Sequence, residues 1–298
     1  MSKRSRHSKS RPIVSQKTNS QTTSRAPIDL VITTAGRFDM LEKCLESVYR
    51  EAQLIPLNVY IFDNASDAAE KQQNIDMFSY HSERDSLGGI KRWKSERVAE
   101  NIGFAGGANR GARLGNAPLI MFLSDDVILE GGAIEKVISS FKDGGVGIVG
   151  IKTLFPLTST DKFRPAGKIQ HIGLALNIRA DPIHPLVGWS ANHPKAQITR
   201  DVLAVTGACL TVRRELFQKV GGFDLIYGKG TYEDIDLCLK VRQLGFRIVI
   251  NADAIGYHHV GASAEKRREP FPLQQNNMIF KSRWANTPLF QWDEWTYW

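Results

Sequence analysis

The chain has 298 residues, of which 42% are hydrophobic and 23% charged, enough apolar material for a sizeable core and an ordinary charge content for a globular protein. Its formal net charge of +8 suggests nucleic acid until it is located: seven basic residues (Lys3, Arg4, Arg6, Lys9, Arg11, Lys17 and Arg25) and no acid fall within the first 28 residues. The remainder is close to neutral, which argues against nucleic acid as a partner of the folded part.

Residues 1–27 are Ser, Thr, Gln, Lys and Arg with almost no apolar content, so a disordered basic tail is expected. A polybasic segment can also make peripheral contact with an anionic membrane, at about 1 kcal/mol per charge. No stretch approaches 18 uninterrupted apolar residues and no apolar signal region follows the basic start, so a cytoplasmic protein is expected, with any membrane contact peripheral at the inner face.

"IDLVITT", residues 28 to 34, reads as a strand buried on both faces. A helix follows, with Phe38, Leu41, Cys44, Leu45 and Val48 on one side, and then a second strand, "LNVYIF", closed by "DNAS". Strand, helix, strand opens a parallel sheet covered by helices. A short strand before Asn101, another at 117–124 and a helix through Ile134, Val137, Ile138 and Phe141 continue the pattern. In the second half, "VGIVGI" predicts a strand, whereas 156–200, rich in Pro, Gly and His, reads as loops and short strands. "VTGACLTVRRELFQKVGGFD" predicts strand, helix and a Gly221–Gly222 stop. A helix from Glu233 to Leu244 and a strand at "FRIVI" complete the pass, and no internal repeat is present. Cys44, Cys209 and Cys238 sit in apolar-periodic segments and read as core thiols. For Trp189, Trp292, Trp295 and Trp298, burial under the sheet or in a dimer contact is preferred to stacking on sugar or lipid.

Open parallel sheets bind ligands at the carboxyl ends of their strands. That edge collects Thr33 and Thr34, then Asp63 and Asn64, then Asp125 and Asp126. Adjacent carboxylates repel, and a hard divalent cation with positions left for substrate phosphates would relieve Asp125 and Asp126. A helix N-cap explains the same pair locally. In "NIGFAGGANRG" the glycines admit close backbone approach, without the spacing of a dinucleotide fingerprint or phosphate loop. "YEDIDLCLK" places Glu233, Asp234 and Asp236 at a helix start, as caps or as a tuned general base. "YHHVGAS" offers His258 or His259 as a nitrogen ligand to a metal such as manganese.

Taken in order, "VITTAGRFDMLEKCLESV", "FDNAS", "NIGFAGGANRG", "MFLSDDV", and "GACLTVRRELFQKVGGFD" running through "YEDIDLCLKVRQLGFRIV" to "HHVGAS" resemble the inverting family 2 glycosyltransferases, especially the bacterial rhamnosyltransferase-like branch. The likeness covers residues 28 to about 262, with an echo at "FKSRWA", 280 to 285. It implies an α/β, GT-A-like fold: a Rossmann-type, mostly parallel central sheet flanked by helices, with a less regular acceptor-side half. The expected division is a tail over 1–27, a glycosyltransferase domain over 28–265 (nucleotide half 28–127, acceptor half 128–265) and a C-terminal extension over 266–298.

By the same resemblance, a nucleotide-diphosphate sugar is the donor, Mn²⁺ or Mg²⁺ bridges its diphosphate, and a glycan or lipid-linked molecule is the acceptor. Asp63 would bind the base or ribose, Thr33, Ala35 and Arg37 would line the nucleotide, and Gly103, Gly106 and Asn109 would lie beside it. Asp125 would face the donor, Asp126 the metal, and His258 or else His259 would be a further metal ligand. The base would come from "YED", Asp234 before Glu233. Two departures stand out: "TTAGR" lacks the family's aromatic and Asn before the Arg, and Gly228 and Gly230 in "LIYGKGT" suggest a mobile acceptor-side loop. The competing classes are a nucleotidyltransferase or metal-dependent phosphohydrolase on a similar sheet, and a non-catalytic sugar-nucleotide or glycan binder.

Overall fold

The computed structural model of the chain describes residues 28–66, 72–73, 89–259 and 271–289; the basic tail and Trp292, Trp295 and Trp298 lie outside the described residues. In chain order the elements are β1 (Ile28–Thr34), α1 (Phe38–Ala52), β2 (Leu57–Asn64), β3 (Ile90–Val98), α2 (Gly103–Ala112), β4 (Leu119–Ser124), β5 (Val127–Leu129), α3 (Ala133–Ser140), β6 (Val146–Leu154), β7 (Ile169–His171), β8 (Ala175–Leu176), β9 (Pro182–Ile183), β10 (Arg200–Asp201), β11 (Cys209–Arg213), α4 (Arg214–Lys219), α5 (Glu233–Gln243), β12 (Arg247–His258) and α6 (Leu273–Trp284).

The main sheet runs β10-β12-β6-β11-β4-β1-β2-β3, with β5 beside β12 and β7 beside β6. Strands β3, β2, β1 and β4 are mutually parallel. β11 runs against both β4 and β6, and β6 and β12 are again parallel. The sheet is therefore mostly parallel and flanked by helices, as expected.

Because β1 is central, both of its faces meet apolar layers, which explains its unbroken apolar run. Val31 faces one layer with Tyr60, Ile120 and Phe122, covered by residues of α2, α4, α5 and α6. Leu30 and Ile32 face the other, covered by Leu41, Leu45 and Val48 of α1 and Ile134 and Val137 of α3. Each such Leu, Ile or Val contributes about 1.5–3 kcal/mol by leaving water. Helix α2 lies very close to the sheet: a Cβ on Gly111 would stand 2.4 Å from Val31 Cγ1, and one on Gly107 3.0 Å from Phe62 Cδ1. These glycines serve helix–sheet contact.

Three elements differ from expectation. β3 is a full nine-residue strand whose sequence, IKRWKSERV, is polar because it forms the sheet's edge. β12 extends well beyond "FRIVI", past an irregularity between Asn251 and Ile255, and delivers His258 at its end. Helix α6, in the expected extension, buries Phe280 and Trp284 in the same core as α5. All three cysteines are buried and free, as expected. Trp189 corrects the expected burial under the sheet: it is 56% exposed in the chain, with its ring edge-on to His193 at 5.0 Å.

Two buried acids are structural. Asp29 accepts from Asn58 Nδ2 (2.8 Å) and the Ala117 N–H (2.9 Å) and pairs with Arg214, at the end of the sheet opposite the acidic strand ends. Glu51 takes the Gly132 and Ile134 N–H groups at 2.7 and 2.8 Å, capping α3 from a neighbouring helix.

Candidate active site

From β1 the chain builds outward through β2 to β3 and then returns to the other side of β1 as β4, so strand order reverses between β1 and β4. The crevice outside those carboxyl ends is where a ligand binds in such sheets. Thr34 ends β1 opposite Asp63 of β2, and Thr33 lies opposite Ser124 of β4. Asp125 and Asp126 follow as a two-residue turn between β4 and β5, so the helix-cap reading of that pair is excluded. Both carboxylates are nevertheless buried, at 5% and 6% exposure. Burial first, and the Asp126 charge second, push Asp125 up to about 7, against the lowering effect of Thr34 and Arg37. Gly36, at φ 83°, turns the chain so that Arg37 heads α1 above this pair.

The end of β12 supplies the partner. His258 lies opposite Val127 of β5, and its Nε2 stands 3.4 Å from Asp126 Oδ1. The other ring nitrogen, Nδ1, is 3.3 Å from Gln170 Oε1, which also accepts from Thr153. With Nδ1 donating to Gln170, the Nε2 lone pair faces the carboxylate. His259 contributes its backbone N–H to the Asp126 carbonyl at 3.1 Å. Its ring is pushed down chiefly by burial, against the raising effect of the Asp126 charge.

Among the described residues no three His, Cys, Asp or Glu side chains converge on a common point. Asp126 and His258 are the facing pair that could hold an ion there. Two ligands bound side by side at ~2.1 Å stand ~3 Å apart, near the separation seen here. A hard divalent ion with one carboxylate and one imidazole keeps positions for water and phosphate oxygens, so the residues present fit such a group.

Residues 206–208 and the head of α5 lie next in the site. The Ser124 N–H donates to the Ala208 carbonyl at 2.9 Å, setting this segment beside the acidic turn. Asp234 Oδ2 accepts from the Gly207 N–H (2.9 Å), and Oδ1 from the Ile235 N–H (2.8 Å). Asp234 is half-buried; desolvation raises its pKa, while these N–H groups and Thr206 work the other way. Glu233 points away into the protein: its Oε2 is buried without a hydrogen-bond partner, and burial, reinforced by Asp234, pushes it up to about 8. Asp236, the third acid of the motif, is fully buried and structural, bound by Tyr227, Arg283, Trp284 and Lys240.

The remaining sequence candidates take other places. Asp63 is buried and accepts from the Ser66 N–H (2.8 Å), Ser66 Oγ (2.6 Å) and Arg97 Nε (3.2 Å). Its neighbour Asn64 clasps the "NIGF" turn through the Ile102 N–H and the Gly103 carbonyl. Gly103 has φ +77°, and a Cβ there would lie 2.1 Å from the Gly228 carbonyl oxygen, so this glycine serves a protein contact. Gly106 packs on Ile102, and both ends of the Asn109 amide bond the backbone of Phe223. Through these contacts Gly103, Gly106 and Asn109 hold loops together. Thr33 packs beside Gly107, while Ala35 is half-exposed at the crevice rim.

Sequence reasoning missed Gln170, His171, His184 and Asn276. The last donates from one amide nitrogen toward the Tyr227, Gly230 and Thr231 carbonyls at 2.9–3.1 Å. It thereby secures the turn in which Thr231 and Tyr232 both have positive φ, immediately before Glu233. The only hint in the sequence was the cluster of histidines within an irregular stretch.

This fold, with acids at the ends of β2 and β4, a histidine closing β12 and a carboxylate heading α5, is that of the GT-A glycosyltransferases. The mannosyltransferase PcManGT from Pyrobaculum calidifontis, solved with GDP-Man and Mn²⁺, superposes on 90% of this chain and 68% of its own at a TM-score of 0.59 and 17% identity. GalNAc-T7, solved with UDP, GalNAc and Mn²⁺, superposes on 78% and 44% at 0.58 and 14% identity. The profile of the family described as Glycosyltransferase like family 2 matches residues 26–287, and the chain belongs to that family. In sequence it is 24% identical to the O-antigen biosynthesis protein RfbC of Myxococcus xanthus over 82% of this chain, and 25% identical to y4gI of Sinorhizobium fredii over 86%. It spans 18% and 27%, respectively, of the length of those relatives.

Proposed function

We propose that the chain is an inverting, divalent-metal-dependent glycosyltransferase that moves a sugar from a nucleoside-diphosphate sugar to a hydroxyl of a glycan or lipid-linked acceptor. The observation that carries this reading is the facing pair Asp126 and His258, 3.4 Å apart at the sheet's ligand-binding edge. Mn²⁺ or Mg²⁺ held by that pair would neutralise charge growing on the leaving diphosphate. Arg37 adds a fixed cation on the same side, and Asp125 faces the donor. Thr33, Ala35 and Asp63 line the nucleotide.

Asp234 takes the proton of the acceptor hydroxyl as its oxygen attacks the anomeric carbon and the bond to the diphosphate breaks on the opposite face, which inverts the centre. Glu233 is the weaker candidate for this role. A carboxyl pushed up to about 8 is largely protonated at neutral pH and already holds the proton a base must accept. The relationship to RfbC supports a polysaccharide as product, and the resemblance to rhamnosyltransferases makes dTDP-sugars one arm of any donor screen.

We place the activity in the cytoplasm, with the basic tail free to touch an anionic inner face. No helix among the described residues is long and apolar enough to cross a membrane.

A thermal-shift screen of UDP-, GDP- and dTDP-sugars with and without Mn²⁺ tests the proposal. At 100 times its Kd a ligand adds about 2.7 kcal/mol, a rise of roughly 5–10 °C for a domain of this size. The rise should require Mn²⁺ and vanish in Asp126→Ala and His258→Ala. If no nucleotide sugar binds or is hydrolysed, and Asp126→Ala changes nothing, the proposal fails.

A further inference from the structure

Next to the proposed metal pair lies a second pair of histidines that the chemistry above does not use. His171, at the end of β7, is fully buried, while His184, just after β9, is open to solvent. Their Nδ1 atoms are 2.9 Å apart, with ring centroids at 4.9 Å and planes at 70°. On the far side of the buried ring, Nε2 accepts from the Gly173 N–H (3.2 Å) and the Thr206 N–H (3.3 Å).

These contacts determine both tautomers. Two N–H donors aimed at His171 Nε2 require a bare nitrogen there, so its proton is on Nδ1 and is donated to His184 Nδ1. His184 then carries its proton on Nε2, and its ring is neutral because Nδ1 is occupied as an acceptor. A buried imidazole locking the tautomer of an exposed one is the arrangement by which a supporting group fixes a ligand-binding histidine. A merely solvated histidine would need no such partner.

The backbone around His184 is rigid as well. Pro182 and Pro185 flank it; the first locks its own φ and the second restricts His184 to extended conformations. The β8–β9 hairpin is braced on α6 by Asp181, which accepts from Asn277 Nδ2 (2.9 Å) and Lys281 Nζ (2.5 Å). Thr206 links the pair to the proposed base, because its N–H serves His171 while its hydroxyl acts on Asp234. Gln170, adjacent to His171, holds His258. His171 and its neighbour Gln170 thus connect His184 to residues that hold Asp234 and His258.

We infer that His184 is a substrate-binding residue whose Nε2–H, oriented through His171, donates a hydrogen bond to a sugar hydroxyl in this crevice. The inference rests on the glycosyl-transfer reading. A neutral N–H donor suits a hydroxyl oxygen better than a phosphate, which a cation would serve. The hydroxyl belongs either to the transferred sugar or to the acceptor, and kinetics separate the two.

His184→Phe keeps a ring and removes the donor; His184→Gln keeps an N–H at similar reach. The Phe variant should raise KM for one sugar substrate roughly tenfold, the loss of one hydrogen bond, and the Gln variant should stay within about threefold of wild type. A change in the nucleotide-sugar KM assigns the bond to the donor, a change in the acceptor KM to the acceptor. Affinity for the nucleoside diphosphate with Mn²⁺ should be unchanged, whereas the Tm of the Phe variant should fall by several degrees, because the buried His171 Nδ1–H loses its acceptor. ¹⁵N NMR of the protein alone should show His171 as the Nδ1–H and His184 as the Nε2–H tautomer.

Unchanged KM values in the Phe variant, an equal loss of nucleoside-diphosphate affinity, or reversed tautomers would each overturn the inference. A wild type that transfers no sugar overturns the functional reading instead. Calorimetry of nucleotide sugar against bare nucleoside diphosphate, on wild type and His184→Phe, then decides the histidine's role separately: a sugar-dependent gain lost in the variant supports it, and equal gains refute it.

Discussion

Glu233 and Asp234 are neighbours in sequence with opposite surroundings. Asp234 is half-exposed and held by backbone N–H groups, whereas Glu233 is buried with an unpartnered oxygen. If Asp234 is the base, Asp234→Asn should lower kcat by about 10²- to 10⁴-fold, and Glu233→Gln by less than about tenfold. The reverse order in steady-state kinetics would move the base to Glu233. Burial also makes Glu233 a source of pH dependence. Its pKa rises from 4.5 unfolded to about 8 folded, so between those values the folded state binds more protons and stability falls as pH rises. Melting curves from pH 6 to 9 should show a smaller drop in Tm for Glu233→Gln than for wild type; parallel curves would contradict the assignment.

At the scale of elements, α2 and α6 set the crevice. In an exposed helix Gly→Ala stabilises by about 1 kcal/mol. At Gly111 the new Cβ would stand 2.4 Å from Val31 Cγ1, and overpacking of that kind costs about 1–3 kcal/mol, so the steric effect wins. Gly111→Ala should therefore lower the Tm by several degrees, and an unchanged or higher Tm would show that α2 can shift on the sheet. Asn276 of α6 acts differently, by holding the carbonyls of 227–231 around the left-handed pair Thr231 and Tyr232. Asn276→Ala leaves those acceptors unsatisfied, at about 1–3 kcal/mol, and releases the turn before Glu233. A loss of kcat larger than the change in donor affinity is expected; full activity at reduced Tm would make Asn276 structural only.

For the whole molecule, α6 belongs to the core. Phe280 and Trp284 are buried there, and Trp284 and Arg283 hold the buried Asp236. Ending the chain at residue 265 removes two large core side chains, at about 3–5 kcal/mol each, and strips partners from a buried carboxylate. That sum approaches a domain's whole stability, so loss of a cooperative melt by circular dichroism is expected. A truncated chain melting within about 5 °C of the full one would refute it. The periodic elements were legible in the sequence: β1 announces itself through its continuous apolar run, α1 and α5 through apolar residues at helical spacing, and the acids at strand ends through their position after such runs. The edge strand β3 was not, because an edge exposes polar residues in no recognisable period; nor was the second half of β12, where the pattern breaks at its irregularity. Asp125 and Asp126 could equally have capped a helix, and only the β4–β5 turn and the arrival of His258 distinguish the two. Composition and spacing by themselves determined which residues could carry charge or ligate, and on which strands and helices they sit, since those properties are local. Tertiary structure decided what each does: Asp29, Glu51 and Asp236 are satisfied from within, Asp126 meets an imidazole, and His171 orients His184. Desolvation and pairing depend on neighbours far away along the chain, which no local pattern records.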